Sequence, residues 1–454
     1  MNFSGISFLF CFLPIAILLY YVTPLKLKNV SLLFLSVVFY VIVAYRFILL
    51  IIILAFSGYA LGLVLEKMAS PNVKRIFLAL SLAIFVGCLC LFKYGEYFQV
   101  IFPNNTLLSL GLPLGISFYT FHLISYIFDV YSGKINAEKN ITSFFLYVMF
   151  FPKITAGPIV RYNDFSKYLS FRTNSIEVIS DGVVRFSIGI SKKAILAGSL
   201  MHAISNFSKV QSNVLSLWLG SVAFTLYIYY DFSGYSDMAV GLGKMFGFEL
   251  PENFNFPYSS KSISEFWRRW HITLGSWFRD YVYIPLGGNK CNKLKWTRNI
   301  FIVWLLTGIW HGSNFVFALW GLYFGVLIII EKMVLNKIVL KIPNYIKMII
   351  TMFFVNIGFV FFSSDDIFSA MEKVRGMFGT SGIPFINTET VFYLRNHIVL
   401  MIISVLLSLP IFKKVHLPQS VAWVLKPLAV VALIVLSSAF IVDGSSTPFL
   451  YKDF

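Results

Sequence analysis

Long apolar runs follow one another along almost the whole chain, with only short polar stretches between them, and this fixes the solvent in which it folds. A helix crosses the hydrocarbon core of a bilayer with about 20 apolar residues. Candidate runs lie near 5–22, 30–44, 47–65, 76–92, 107–129, 142–156, 180–205, 213–230, 233–248, 299–311, 313–330, 346–363, 396–411 and 421–442. Several are too short or too interrupted to cross alone, so span length predicts about ten to twelve crossings. Composition agrees. Of 454 residues, 58% are hydrophobic and 13% charged, against about 45–50% and about 25% in soluble domains. The expected fold is an all-α polytopic membrane protein, one integral-membrane domain over residues 1–454.

The net charge of +17 raises nucleic acid as a partner. Lys and Arg instead sit in short loops between apolar runs, where the positive-inside bias puts them, so the expected partner is the lipid bilayer and not nucleic acid. Lys26 and Lys28 follow the first run, and Lys67, Lys74 and Arg75 the third. Both loops are therefore expected in the cytoplasm and the N-terminus outside. Lys332, Lys337, Lys341 and Lys347 mark a later inside loop, and Lys413, Lys414 and Lys426 another. The nearly balanced 364–395 stretch fits the outside. The N-terminal segment has no basic n-region and no A-x-A site, so it reads as a retained span. Cys11, Cys88 and Cys90 lie in apolar runs and Cys291 in a basic loop. Their spacing is no zinc pattern, and the first three read as buried apolar thiols.

Residues 251–298 depart from this pattern, being both basic and rich in Phe, Trp and Tyr. Such a mixture suits helices and turns at the cytoplasmic interface or dipping into the membrane. Ser262 and Glu265 have capping-box spacing, which predicts a helix start. Trp267, Trp270, Leu274, Trp277 and Tyr281 follow at steps of three and four, predicting one aromatic face. Pro285, Gly287 and Gly288 end the element. His271 stands at the edge of the stripe, either as a hydrogen-bonded interfacial histidine or as a functional one.

The apolar run from Ile300 to Ile330 has 31 residues and is interrupted at Thr307, Gly308, His311, Gly312, Ser313 and Asn314. It is long for one span and short for two. Two helices meeting within the membrane resolve the length. Non-helical backbone at that depth is tolerated only where protein buries it or it lines a cavity, and an ionisable residue there marks a functional site by default. The competing reading of His311 is a packed ring bonded to a backbone carbonyl.

Known chemistries narrow the role. There is no HExxH and no third ligand near either histidine, so no metal is expected. Neither histidine begins an H-x4-D, and G-x-S-x-G and Walker A are absent. Gly241, Gly243 and Gly247 do not form G-x-G-x-x-G and read as small residues for close helix packing. A proton relay and general-base catalysis by a neutral imidazole both stay open.

Five ordered stretches carry a resemblance: GISFYTFHLISYIFDVY (115–131), FFPKITAGPIVRY (150–162), YYDFSGYSDMAVGLGKMFGFELPENFNFPY (229–258), FWRRWHITLGSWFRDYVYIPLGGN (266–289) and TGIWHG (307–312). Together they resemble the membrane-bound O-acyltransferase superfamily, in the branch of the bacterial alginate O-acetyltransferase membrane subunit. The match covers most of the chain to about residue 330 and is loose after about 345. Gly275 is a small departure, where many relatives have a small polar residue.

The resemblance implies a ring of tilted helices around a thin core with a tunnel joining the two sides. It implies a catalytic core over about 107–330, followed by C-terminal spans over about 346–442. The near-invariant family histidine corresponds to His311, and the second polar position to His271. Relatives take an acyl group from a cytoplasmic thioester and deliver it outward, often to an SGNH-hydrolase-type partner that esterifies a polysaccharide hydroxyl. On this reading His311 is the general base. His271 orients the donor or stabilises the oxyanion, and Trp310 and Trp270 wall the tunnel against water. Asp231, Ser233, Tyr235 and Asn314 are candidate tunnel residues, the first three having helix packing as the competing reading. Lys261, Arg268 and Arg269 are candidate contacts for donor phosphates. Arg161 reads as an interfacial loop anchor and Arg279 with Asp280 as a structural ion pair.

Three functions compete at this point. The first is an acetyltransferase of the bacterial inner membrane serving polysaccharide, alginate-like or peptidoglycan O-acetylation, with acetyl-CoA as donor and no permanently bound cofactor. A carrier-protein donor, as in teichoic-acid D-alanylation, is its variant. The second is a proton-coupled transporter with His311 in a relay, which calls for internal symmetry that the chain does not show. The third is a membrane scaffold, which has no use for two histidines in aromatic settings.

Overall fold

The computed structural model describes residues 3–101, 111–172, 175–334, 342–414 and 418–444. The loop charges Lys337 and Lys341, and the start of the 107–129 run, lie outside the described residues. Among those described every regular element is helical, as a lipid solvent requires of segments that must satisfy their own backbone groups. Among the described residues seven apolar stretches are long enough to cross a bilayer, one of them the two-helix stretch Leu25–Lys67. Their outward faces carry Leu, Ile, Val and Phe, which is the surface that lipid accepts.

The chain divides into two compact units. Of the described residues, those up to Gly189 together with Tyr235–Pro251 form the first, and Ile190–Gly234 with those from 252 to 444 form the second. In the first unit the helix Ile116–Tyr131 is almost wholly buried. It begins at Gly115, where a side chain would stand 2.1 Å from the carbonyl oxygen of Ile154. The 142–156 run forms two short helices, Ile141–Met149 and Phe151–Ile154, broken at Phe150. Gly241 lets its helix lie against Gly182, whose carbonyl oxygen an added Cβ would approach to 2.6 Å. Gly247 does something else: it takes φ +79° in the turn that ends the helix.

The two runs expected at 213–230 and 233–248 are one helix, Val214–Met245, of 32 residues. No proline interrupts it, and its charged groups are matched rather than expelled. Asp231 pairs with Lys193 inside the second unit, and Asp237 pairs with Arg185 at 2.7 Å inside the first. Lys193 lies on a single π-helical stretch, Lys192–Ala197, within the run Ile176–Lys209. Such bulges shift the register of the faces that follow. Cys11 is exposed and Cys88 and Cys90 half-buried, correcting the expectation of buried thiols. Cys11 sits on a helix that faces lipid, where a thiol is at no disadvantage.

In the second unit Lys293–His311 and Phe315–Met333 form two antiparallel arms. Asn292 caps the first arm by accepting from the Lys295 amide at 2.9 Å. Asn299, buried midway, donates to the carbonyls of Leu286 and Gly288, both at 3.2 Å, tying the arm to the preceding turn. The arms touch backbone to backbone. A Cβ on Gly308 would lie 2.3 Å from the Phe317 carbonyl oxygen, and one on Gly321 would lie 2.2 Å from that of Trp304.

Candidate active site

The first arm ends at His311, Gly312 is extended, and Asn314 starts the second arm by accepting from the Val316 amide at 3.1 Å. Two helices therefore do meet at the histidine, as the length of the run predicted. Each arm has 19 residues, a rise of about 28 Å, and Phe315–Met333 is long and apolar enough to cross a bilayer.

His311 is buried, 3% exposed, in a box of aromatic rings. Trp310 and Trp320 each stand 4.8 Å from it between centroids, and Phe362 5.3 Å. Trp320 comes from the second arm and Phe362 from the end of Asn344–Phe362, so three helices fix one ring. Gly312 makes room for Phe317, whose ring an added Cβ would meet at 2.3 Å. Gly308 thus serves the approach of the arms, and the space beside Gly312 is filled by protein.

His271 is 2% exposed, and its ring centroid lies 6.2 Å from Trp310. The two histidines thus share Trp310 as a common neighbour. The single helix expected after Ser262 is two short helices, Ile263–Arg269 and Ile272–Phe278. Ser262 does cap the first, accepting from the Glu265 amide at 3.1 Å, while the Glu265 carboxylate reaches one residue further back to the Lys261 amide at 2.9 Å. The break is His271 itself, at φ +43°, ψ +53°. A left-handed backbone costs a non-glycine residue about 1–3 kcal/mol and persists where surrounding structure imposes it. Here Asn253 imposes it. Its carbonyl accepts from the Ile272 amide at 2.9 Å. Its side-chain Oδ1 accepts from the Thr273 amide at 3.2 Å and hydroxyl at 2.6 Å, and lies 3.3 Å from His271 Nδ1. Phe232 sets its ring edge-on to His271 at 4.7 Å.

Trp267 locks the broken segment to the arms, with centroids 4.7 Å from Trp304, 5.6 Å from Trp320 and 4.8 Å from Phe324. Glu331, near the end of the second arm, accepts from the Ser264 amide at 3.1 Å and so holds the start of the short helix.

The remaining candidates separate. Trp270 is buried against Phe254, Phe266 and Phe359 at 5.1–5.5 Å. Asp231 is ion-paired, and Ser233 is buried with no partner for its hydroxyl. Tyr235 belongs to the first unit, where it bonds to Thr155 and stacks on Phe3. Asn314 is occupied as the helix cap and also donates to the Asp365 carbonyl. Arg269 is bound to Glu265 at 2.7 Å, whereas Arg268 and Lys261 are exposed. Arg279 pairs with Asp280 at 2.8 Å near the surface, as expected. Arg161 stands at the start of Tyr162–Ser170. Lys290 is exposed in the turn before the first arm, and Lys293, Lys295 and Arg298 are exposed on the arm's first turns, the last two beside an open groove with Leu294, Thr297 and Phe301.

Sequence reading missed Asn253, Lys193, Phe232, Trp320 and Phe362. The signal for Lys193 was present: a lysine in one apolar run and an aspartate in another call for each other. Asn253 carried no such signal, because only folding places it beside the histidine.

The family model described as MBOAT, membrane-bound O-acyltransferase, matches residues 137–369. The chain is 39% identical to the probable alginate O-acetylase AlgI of Pseudomonas aeruginosa, over 83% of this chain and 75% of that protein. It is 31% identical to the peptidoglycan O-acetyltransferase of Helicobacter pylori, over 98% and 96%. It is 32% identical to the teichoic acid D-alanyltransferase of Bacillus subtilis, over 58% and 70%. A helical, multi-pass architecture with two buried histidines beside a helix break, matched over half its length and more, places this enzyme in the membrane-bound O-acyltransferase family.

Proposed function

We propose that this O-acyltransferase takes an acetyl group from a cytoplasmic thioester, acetyl-CoA, and passes it across the bacterial inner membrane for O-acetylation of an envelope or exported polysaccharide. The observation that carries the reading is the pair His311 and His271, two buried rings beside one indole where two apolar helices meet. The names of the relatives support acetate as the group: the alginate and peptidoglycan O-acetylating proteins match over 83% and 98% of the chain, the D-alanyl one over 58%. A carrier-protein donor is therefore the second reading.

His311 removes the proton from the acceptor hydroxyl as its oxygen attacks the thioester carbonyl. The tetrahedral intermediate collapses with cleavage of the C–S bond. The thiolate takes the proton from the imidazolium, leaving an ester, a free thiol and a neutral ring. The aromatic box around His311 keeps water, the competing nucleophile, from the thioester. Exposed Lys and Arg of residues 261–298 hold the donor's phosphates from the cytoplasmic side, and the loop charges Lys26, Lys28, Lys67, Lys74 and Arg75 support an N-terminus outside. The acyl group leaves toward an SGNH-hydrolase-type partner.

Proteoliposomes test donor and direction together. With radiolabelled acetyl-CoA supplied to the face bearing residues 290–298, label is expected in acceptor glycan on the opposite face when the partner is present. Transfer only from a D-alanyl carrier protein selects the second reading.

A further inference from the structure

We infer that Asn253 is a positioning residue that fixes the tautomer of His271, so that His271 presents a bare Nε2 to the substrate and acts as a hydrogen-bond acceptor. The inference rests on the proposed acyl transfer for its purpose but on hydrogen-bond chemistry for its content. The Asn253 side-chain atom nearest His271 also receives the Thr273 amide at 3.2 Å and the Thr273 hydroxyl at 2.6 Å. A backbone amide can only donate, so that atom is the oxygen and not the amide nitrogen. The same oxygen lies 3.3 Å from His271 Nδ1. Two acceptors do not bond, so Nδ1 carries the proton.

Among the described residues the ring of His271 meets Asn253, Phe232 and Trp310, none of them acidic. A ring 2% exposed and without a counter-charge is neutral. In a neutral imidazole one nitrogen donates and the other accepts. Nε2 is therefore the lone-pair nitrogen, and it is buried with no hydrogen-bond partner among the described residues. The group that completes it is an O–H or N–H of the bound substrate: the acceptor hydroxyl, or an amide of the donor's pantetheine arm. Of the two roles expected for His271, this tautomer serves orientation. Stabilising an oxyanion needs a proton where this ring has none.

The geometry also accounts for the strained backbone. Asn253 holds the main chain at Ile272 and the side chains of Thr273 and His271 at once. The left-handed turn at His271 is the conformation that lets all of these reach one residue.

The full chain, labelled with ¹⁵N-histidine and reconstituted in bilayers, tests this by nitrogen chemical shift, with His271→Gln identifying the His271 signals among the 6 histidines. The expected wild-type result is a proton-bearing Nδ1 and a bare Nε2. In Asn253→Ala the two tautomers should mix and transfer should fall by about tenfold or more, as small misplacements of reacting groups do. Asn253→Asp keeps an oxygen acceptor but adds the counter-charge the wild-type ring lacks, so Nδ1 should keep its proton while Nε2 gains one and the rate stays low. A proton on Nε2 of the wild-type ring overturns the inference, as does a tautomer unchanged in Asn253→Ala. Should Asn253→Ala fail to insert, the wild-type spectrum alone decides. The outcome is independent of the proposed function, which fails instead if His311→Ala transfers acetate normally.

Discussion

The ring of His311 meets the indole of Trp320 edge to face, with centroids 4.8 Å apart and planes at 85°. The two residues lie on different arms, so the orientation of the imidazole depends on how the arms pack. Trp320→Ala removes one wall of the box and leaves the ring free to turn. A large-to-small change at a buried indole costs about 3–5 kcal/mol, and a loss of acetyl transfer of about a hundredfold is expected from the misplaced ring. Trp320→Phe, which keeps an aromatic face, should lose far less. Melting temperature and initial rate on purified protein check both.

The contact between the arms makes a sharper prediction at glycine. Gly308→Ala and Gly321→Ala each place a methyl group about 2.3 Å or less from backbone oxygen, which cannot yield as a flexible side chain can. Each should cost about 1–3 kcal/mol and displace His311 with the arm. Gly275→Ser is the control, because the nearest atom to an added Cβ there is 3.8 Å away. Near wild-type rate and stability are expected for it.

Lys193 and Asp231 are both fully buried and paired. Lys193→Met leaves a carboxylate without its counter-charge and should destabilise the protein by about 3–5 kcal/mol. Lys193→Met with Asp231→Leu removes both charges at similar volume and should recover most of that loss. A double-mutant cycle by thermal melting in one detergent measures the coupling. Additive losses would contradict the pairing.

How far the chain could be read in advance follows from which forces act locally. The break at His311 was legible because a run of 31 residues fits neither one span nor two. Ser262 was legible as a cap from its spacing to Glu265. The fusion of 213–230 with 233–248 was not. Residues 231 and 232 fell between the two expected runs, and Asp231 sits within an unbroken helix where it is paired with Lys193. The break at His271 was hidden for the opposite reason. No glycine or proline marks it, and the aromatic stripe runs through it with helical spacing. Its cause is Asn253, 18 residues earlier, through bonds that exist only in the folded chain. The aromatic box of His311 is likewise assembled from separate helices.

The central claim is that His311 performs the proton transfer on which acetylation depends. The direct measurement is ester-linked acetate, released by mild base from isolated cell wall and exported glycan, in cells whose only copy of the protein carries His311→Ala. Insertion at wild-type level is verified by quantifying the protein in the membrane fraction. The account predicts acetate at the level of cells lacking the protein. Acetate at the wild-type level with the variant fully inserted would contradict it.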